Sequence, residues 1–402
     1  MIKNYDEIIK LLTEKAVTMD TETVDIESAF GRVLAKDLVA LENVPSFDRS
    51  PYDGYAFRAA DTTEASETGK VRLEVIENIP AGKIPQKAVT KGTAVRLMTG
   101  APIPEGADAV CKYEDTVFYE NEVYINKSFK AGENVIYAGE DMKKGDLIVS
   151  SGSMIDAGVT GVMASLGMNT IEVYKKPKIG IISTGDEVTE IDDIPQLGHI
   201  RNSNRYTIMA YLNSHLYEVS YFGHVKDDKA KITEMILDCE KKVDVIISTG
   251  GVSAGDYDLV PESMEEAGYE ILSDGVFIKP GMASVYGIKN GKMMFALSGN
   301  PASSLTNLQC ICIPALRKIS GLKQYDYQLI DMKLAKDFKN KSKNTRLIRG
   351  KICFSAGEVF LDFDSSQGNV VISSSVGCNA FGVIPPESGL LPAGTKIKGF
   401  LI

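Results

Sequence analysis

Three loops rich in glycine, hydroxyl and acidic residues could hold a phosphate-bearing ligand. They read STGDE at residues 183–187, STGGVSAGDYD at 248–258 and LSGNPASS at 297–304, and each follows or ends an apolar run typical of a buried strand. A strand that leads through a glycine loop into a helix presents backbone N–H groups to an anion. The residues that we expect to bind the ligand are Ser183, Thr184, Gly185, Gly250, Gly251, Ser253, Ser298, Gly299, Asn300 and Pro301.

Carboxylates in the second loop indicate a divalent cation. Asp256 and Asp258 follow Gly255 directly before a segment that can form a helix. Carboxylates repel a phosphate unless a cation lies between them, and Mg²⁺ prefers such oxygen ligands. Each loop alone could be an ordinary turn, but three related loops in one region favour a shared site. The sequence therefore predicts a phosphate-bearing ligand bound with Mg²⁺.

The elements around these loops alternate between strand and helix. The apolar patterns predict strands at 178–182, 218–225, 243–247, 275–288 and 292–297, and helices at 204–216, 229–240, 259–267 and up to about residue 319. This alternation is typical of a doubly wound α/β domain. In such domains ligands bind beyond the carboxyl ends of the strands, where the three loops are expected.

The N-terminal part reads as helices followed by short strands. Apolar spacing predicts helices at 5–17, 25–35 and 156–166, and strands at 71–76, 93–98, 109–113 and 123–125. Residues 43–56, NVPSFDRSPYDGYA, combine aromatic and charged side chains in a segment that two prolines keep irregular. Asp48, Arg49 and Asp53 in it are either a surface pair beside a turn or part of a site.

The C-terminal part reads as a small β-barrel or sandwich. Strands are predicted at 328–335, 345–352, 359–363, 370–372 and 395–401, with turn-rich segments at 379–386 and 388–394. Arg346, Arg349 and Lys351 give this part a basic character. A solvated strand face is the simplest interpretation of these three residues.

Composition excludes several classes of protein. The chain has 402 residues, which predicts two to four domains, and its formal net charge of −10 argues against general nucleic-acid binding. It has no apolar run long enough for a membrane span and no signal-peptide core, so we expect a cytoplasmic protein without membrane association. The six scattered cysteines and three histidines include no zinc-binding pattern and suit reduced thiols.

Several segments in one order resemble a known family. They are NVPSFDRSPYDGYA, LMTGAPIPEGADAV, GEDMKKGD, ISTGDEV, IRNSNRY, STGGVSAGDYD, IKPG and LSGNPASS. The chain closely resembles the MoeA family of molybdopterin molybdenumtransferases, which includes the gephyrin E domain, over essentially its whole length. Each motif alone is weak, but their conjunction is highly specific.

The resemblance implies a multidomain α/β plus β architecture. An extended helical N-terminal domain comprises residues 1–44 and 141–173, and a small β domain, 45–140, is inserted into it. A doubly wound, MogA-like α/β domain that binds molybdopterin follows at 174–322, and a C-terminal β-barrel occupies 323–402. The resemblance also implies a homodimer, with each site formed by the α/β domain of one subunit and the first two domains of the other.

The implied reaction inserts molybdenum from molybdate into adenylylated molybdopterin and releases AMP, giving molybdenum cofactor. The other enzymes of this cofactor's synthesis are the expected partners. By resemblance, Asp53, Thr99, Asp141, Glu187 and Lys279 are catalytic, and Asp227 and Asp258 bind Mg²⁺. Lys279 would hold an oxyanion as a compact charge, while Glu187 and Asp141 would orient water or accept protons.

The sequence departs from the family pattern where the oxyanion should bind. Met282 and Ala283 stand in place of Lys-Pro, and Ser298 stands in place of the first proline of the PGNP motif. These departures leave open a diverged relative that acts on tungstate, or a non-catalytic pterin-binding or scaffold protein. A different phosphate-handling enzyme is the third hypothesis, although a dinucleotide dehydrogenase is disfavoured because no strand leads into a G-x-G-x-x-G motif.

Overall fold

The computed structural model of the protein describes residues 1–253 and 258–402. The chain forms two compact units. The larger unit contains Met1–Lys36, Ser151–Asp156 and Thr170–Ile402, and the smaller unit contains Asp37–Ser150 and Ala157–Asn169. The α-helices of the described residues are α1 (Tyr5–Lys15), α2 (Ala157–Ser165), α3 (Ser203–Ser214), α4 (Lys229–Glu240), α5 (Val260–Glu266), α6 (Pro301–Asn307) and α7 (Ile313–Ile319).

The strands include those predicted at 71–76, 93–98, 109–113 and 123–125, together with short strands that the sequence did not predict. Up to residue 174 they are β1 (Thr21–Asp25), β2 (Leu38–Val39), β3 (Gly54–Phe57), β4 (Val71–Ile79), β5 (Thr93–Leu97), β6 (Ala109–Lys112), β7 (Val117–Tyr119), β8 (Glu122–Ile125), β9 (Leu147–Val149) and β10 (Thr170–Tyr174). The α/β region contains β11 (Lys178–Thr184), β12 (Val188–Thr189), β13 (Ile200–Arg201), β14 (Glu218–Val225), β15 (Val245–Thr249), β16 (Glu270–Ser273), β17 (Ile278–Lys279), β18 (Ser284–Lys289) and β19 (Lys292–Leu297). The C-terminal strands are β20 (Ile330–Leu334), β21 (Phe338–Asn340), β22 (Thr345–Ser355), β23 (Glu358–Asp362), β24 (Ala380–Ile384), β25 (Gly389–Leu391) and β26 (Lys396–Leu401).

A mixed sheet with the order β14-β11-β15-β19-β18-β16 forms the centre of the larger unit. The strands β14, β11, β15 and β19 run parallel, so their carboxyl ends meet at one edge. Strand β18 pairs antiparallel with β19, and β16 pairs antiparallel with β18. Alternate residues face two cores. Ile247 and Phe295 pack towards α1, α6 and the barrel, while Ile246 and Met294 pack towards α4 and α5. Burial on both faces explains the nearly continuous apolar runs of these strands.

The C-terminal strands close into a barrel. β22, β23, β20, β26 and β24 are neighbours in that order, and β24 pairs again with β22. Leu347, Phe381 and Phe400 of the barrel belong to the same core as α1 and the central sheet. The smaller unit contains its own sheet, with the order β6-β3-β5-β4-β8-β7. The predicted fold class is confirmed.

Helix α1 and the later α/β elements lie close to their predicted positions, but residues 25–35 do not form the predicted helix. Asp25 is the last residue of β1, Ile26–Ser28 form a 3₁₀ turn, and an extended segment follows. Gly31 has a φ of +71°, and a Cβ there would lie 2.2 Å from Leu216 Cδ1. The apolar spacing that suggested a helix therefore belongs to a chain that turns at Gly31 and places Val33 and Leu34 against neighbouring strands.

Two predictions within the barrel are wrong. Residues 370–372 form a turn leading into a 3₁₀ helix at Ile372–Ser375, not a strand. Residues 379–386, expected to be turn-rich, contain β24. Gly382 lies in mid-strand, and glycine is needed there because a Cβ would lie 2.6 Å from Ile397 and 2.7 Å from Leu361 across the barrel.

Two further expectations need correction. The predicted strand 275–288 is divided between β17, which joins the barrel sheet, and β18, which joins the central sheet. Arg346 and Arg349 do not line a solvated face, since both are buried. Their neighbours Gln367 and Ser374 accept hydrogen bonds from them, which accounts for polar side chains in this position. Across the described residues, no helix combines the length and apolar character needed to cross a membrane.

Truncating a side chain at the centre of the sheet tests this core. Ile247→Ala removes a fully buried side chain and should lower the free energy of unfolding by about 2–5 kcal/mol, measured by urea denaturation. Ile84→Ala is the matched control, because Ile84 is 76% exposed and should change stability by less than about 0.5 kcal/mol. Equal effects at the two positions would contradict the packing described.

Candidate functional site

The three glycine loops meet at the carboxyl edge of the central sheet. β11, β15 and β19 are neighbours and end at Thr184, Thr249 and Leu297. A Cβ on Gly250 would lie 2.4 Å from the Thr184 carbonyl, and a Cβ on Gly299 would lie 3.6 Å from Gly250 Cα. Gly250 also has a φ of +99°, so only glycine suits this position. The loops therefore form one surface, as the parallel topology predicts.

Two of the expected ligand-binding hydroxyls are used inside the protein. Ser183 Oγ accepts a bond from Asn202 Nδ2 at 3.0 Å, and Thr184 Oγ1 donates to the Thr249 carbonyl at 3.4 Å. Both side chains are 1% exposed. Ser253, by contrast, is exposed at the start of the second loop. Contacts of Ser183 and Thr184 with a ligand remain a prediction, and their observed bonds fix the shape of the loop.

The acidic residues beside the first loop form a reciprocal pair. The Asp186 N–H donates to Asp227 Oδ2 at 3.2 Å, and the Asp227 N–H donates to Asp186 Oδ1 at 3.4 Å. His224 Nε2 donates to the Gly185 carbonyl at 2.7 Å and fixes the turn. Glu187 is exposed and folds back, so that a Cβ on Gly185 would lie 2.5 Å from Glu187 Oε2.

Asp227 and Asp258 were the predicted Mg²⁺ ligands. Asp227 is partly exposed next to Asp186, and Asp258 is also partly exposed before α5. Gly255 and Asp256 of the same loop lie outside the described residues. Within the described residues, no group of three or more acidic, histidine or cysteine side chains is arranged for a metal.

The third loop is held by bonds from two directions. Asn204 Nδ2 donates to the Gly299 carbonyl at 2.8 Å, and the Asn300 N–H donates to the buried Ser298 Oγ at 3.2 Å. Pro301 begins helix α6. The N–H groups of the next two residues, Ala302 and Ser303, donate to the carbonyl of Asn369 at 3.1 and 3.2 Å. The first turn of this helix is thus capped by the protein.

Lys279 lies at the edge of the barrel with an exposed side chain. In the parallel pairing of β17 with β22, its backbone register partner is Arg346. Asn307 of α6 donates to the carbonyl of Gly281 at 2.8 Å and so fixes the turn after Lys279. Met282 is 49% exposed beside that turn.

In the smaller unit, Asp53 and Thr99 form the closest contact between predicted site residues. Both the N–H and the hydroxyl of Thr99 donate to Asp53 Oδ1 at 2.7 Å. The hydrogen bond from the Thr99 backbone N–H makes the larger contribution to lowering the pKa of Asp53, and the bond from the Thr99 hydroxyl lowers it further. Asp53 is therefore held as an exposed carboxylate, directly before β3.

The segment before Asp53 runs between two other parts of the smaller unit. The backbone of Arg49 forms isolated antiparallel β-bridges with Pro102 on one side and Ile136 on the other. Further along, the Asp141 N–H donates to the Val44 carbonyl at 3.0 Å, and the Asp141 side chain is exposed. One irregular segment therefore supports Asp53, Thr99 and Asp141, although the three lie far apart in sequence.

Three residues near the candidate site were not predicted to belong to it. They are Asp186, Asn307 and Arg346. Asp186 lies within STGDE, and its pairing with Asp227 follows from the adjacency of β11 and β14. Asn307 carried no signal, because a polar residue inside an apolar helix reads as a weak helix former. Arg346 was noticed, but its burial depends on barrel closure, which no local pattern reveals.

Comparisons with known proteins agree along the whole chain. The model for the MoeA N-terminal region (domain I and II) matches residues 3–167, and that for a probable molybdopterin binding domain matches residues 180–318. A molybdopterin molybdenumtransferase of Staphylococcus epidermidis is 35% identical over 391 residues, covering 97% of this chain and 91% of the relative. A Staphylococcus aureus protein of the same name is 34% identical over 368 residues, covering 91% and 88%.

Solved structures give the same result. A molybdopterin biosynthesis MoeA protein of Pyrococcus horikoshii OT3 superposes with a TM-score of 0.86 at 30% identity, covering all of both chains. The fold defines a multidomain protein with an α/β domain of the molybdopterin-binding type and a closed β-barrel. The chain belongs to the MoeA family.

The contact between Thr99 and Asp53 can be tested by titration. Thr99→Val removes the hydroxyl donor but keeps the backbone donor, so the pKa of Asp53 should rise part of the way to its ordinary value. The lowered pKa adds stability above the unfolded-state pKa, and this is lost as the pH falls through the folded-state pKa. Thr99→Val should therefore begin to lose this contribution at a higher pH.

The measurement is an NMR titration of the Asp53 carboxyl carbon. Thr63→Val is the control, because Thr63 Oγ1 donates to the Ala60 carbonyl and the substitution should leave the pKa of Asp53 unchanged. An unchanged pKa of Asp53 in Thr99→Val would refute the assigned role of the hydroxyl.

Proposed function

We propose that this protein is a molybdopterin molybdenumtransferase, which uses molybdate and adenylylated molybdopterin and releases AMP. The observation that carries the proposal is the meeting of the glycine loops beside Asp227, within a chain that belongs to this family over its full length. The loops suit the phosphates of the substrate, and Lys279 suits an oxyanion.

The oxyanion would bind near Lys279. Its register partner Arg346 adds a second positive charge, which supports the proposal despite the loss of a lysine at Met282. Arg346 Nε is buried without a hydrogen-bond partner among the described residues, while Nη2 bonds the Gln367 carbonyl at 2.7 Å. A guanidinium with a spare donor on the strand that pairs with Lys279 supports an anionic ligand near this edge of the barrel.

Mg²⁺ fits the residues at the carboxyl edge of the sheet. Asp227 and Asp258 would hold it, with Asp186 beside Asp227, and substrate phosphates would complete the ligand set. When bound, the ion would neutralise the charge on the phosphates. Glu187 and Asp141 are the two carboxylates proposed to orient water or accept protons, and both are exposed in their own units.

We further propose a homodimer, as the family resemblance implies. The half of the site around Asp53 in one copy would complete the half around the glycine loops of the α/β region in the other copy. Exposed apolar side chains flank both halves. Ile194 and Leu197, in the segment after Glu187, are 89% and 104% exposed, and Phe47 and Tyr52, close to Asp53, are 45% and 37% exposed. Apolar groups of this kind are typical of surfaces that bind another protein.

The function is tested by AMP release. Purified protein with adenylylated molybdopterin and Mg²⁺ should release AMP when molybdate is added and not without it. Tungstate in place of molybdate distinguishes the two oxyanions. Pterin binding by calorimetry without AMP release under either oxyanion would instead support the non-catalytic alternative.

Removal of the Lys279 charge tests the oxyanion site. Lys279→Met keeps much of the side-chain volume, so the KM for molybdate should rise about tenfold or more while the protein stays folded. Lys70→Met removes an exposed lysine of the smaller unit and should leave the KM unchanged. A KM in Lys279→Met equal to that of the wild type would exclude Lys279 from the oxyanion site.

A further inference from the structure

Strand β22 of the barrel buries an arginine whose hydrogen-bonded partners are all uncharged. Arg349 is 1% exposed. Its Nε and Nη2 donate to Ser374 Oγ at 2.9 and 2.8 Å, and Nη2 also donates to the carbonyls of Gly368 at 3.0 Å and Val371 at 3.5 Å. Nη1 is buried without a partner in the part of the chain that the structure describes. Burial, followed by the charge of Arg346, lowers the pKa of Arg349 to about 10.

A buried cation with neutral partners has a large desolvation cost, which the hydrogen bonds of its guanidinium must offset. The side-chain acceptors of Arg349 all lie in residues 364–375, which we call the barrel loop. None of the acceptors belongs to the barrel strands that flank β22. The guanidinium therefore holds the barrel loop, whereas the barrel itself closes through backbone pairing.

The backbone of Arg349 holds the same loop a second time. Its N–H donates to Gln367 Oε1 at 3.2 Å, and Gln367 Nε2 donates back to its carbonyl at 3.1 Å. Arg346 adds a bond from Nη2 to the Gln367 carbonyl at 2.7 Å. Gln367 is 3% exposed, so these bonds are shielded from water. The loop contains only a short 3₁₀ helix of its own, at Ile372–Ser375, and these bonds set its position.

The barrel loop in turn holds the third glycine loop. The carbonyl of Asn369, between Gly368 and the 3₁₀ turn, accepts from the N–H groups of Ala302 and Ser303. These residues follow Pro301 directly, so their position determines where Ser298, Gly299 and Asn300 lie. The barrel loop thus caps the first turn of helix α6. The residues directly before this turn, Ser298, Gly299 and Asn300, belong to the candidate site.

We propose that Arg349 is a positioning residue, which fixes the glycine loop 298–301 through the barrel loop and the carbonyl of Asn369. The inference rests on the proposed function, in that loop 298–301 is taken to bind the phosphates of adenylylated molybdopterin. It assigns to the C-terminal barrel a part in shaping the substrate site, through a residue that touches no substrate.

The first test measures the cap directly and needs no substrate. In hydrogen exchange followed by mass spectrometry, peptides covering residues 298–307 of Arg349→Met should exchange about tenfold faster than in the wild type. Peptides from β22 and β24 should keep their protection, which shows that the barrel is intact. Lys351→Met is the control, because Lys351 lies on the same strand with an exposed side chain and should leave both sets of peptides unchanged.

The second test measures substrate use. Arg349→Met should raise the KM for adenylylated molybdopterin about tenfold and change kcat by less than about threefold, because the reacting groups are left in place. Ser374→Ala removes the acceptor shared by Nε and Nη2 and should give a smaller rise. If Arg349→Met does not fold, the same two measurements on Ser374→Ala decide the question.

Two results would overturn the positioning role. One is unchanged exchange at residues 298–307 in a folded Arg349→Met protein, or in Ser374→Ala if only that variant folds. The other is a loss of kcat with an unchanged KM. A wild-type protein that releases no AMP would refute the proposed function instead, and the exchange experiment would still report on the link between Arg349 and loop 298–301.

Discussion

A buried amide on helix α6 joins the parts of the larger unit on which the candidate site depends. Asn307 is fully buried, donates to the carbonyls of Gly281 and Ser303, and accepts from the Tyr286 hydroxyl at 2.8 Å. It therefore links the turn after Lys279, the helix after loop 298–301 and strand β18 of the central sheet. Loss of such an amide would leave buried partners unsatisfied at a cost of about 1–3 kcal/mol each. The spacing between the cationic and glycine parts of the site rests on this side chain.

The same helix receives the barrel loop at its other end. Asn369 caps its first turn, and the π-helical turn Leu308–Cys312 continues it into α7 within the core. Helix α6 thus connects the sheet edge, the Lys279 turn and the barrel. A site assembled from separate chain segments needs rigid supports of this kind, because the geometry of phosphate contacts tolerates little movement. The barrel is then part of the site's support and not a separate appendage.

Much of the α/β region could be predicted because burial on both faces makes its strands apolar and its helices regular. β19 and α4 match their predicted bounds, and the topology then places the three loops together. The failures have a common cause. The helix predicted at 25–35 and the turn-rich segment predicted at 379–386 are wrong at Gly31 and Gly382, where side chains approach from distant parts of the chain. Arg349 looked like a surface residue because its partners follow it by 18 or more positions. Only the closed barrel reveals them.

We propose that a half-site around Asp53 and another around the glycine loops complete each other between two copies of the chain. The most direct measurement is the activity of mixed dimers assembled from differently tagged Asp53→Ala and Asp258→Ala subunits. Each variant alone should be inactive, and the mixed dimer should regain one of its two sites, or about half of the wild-type AMP release. A mixed dimer as inactive as its parents, although folded and dimeric, would contradict the claim.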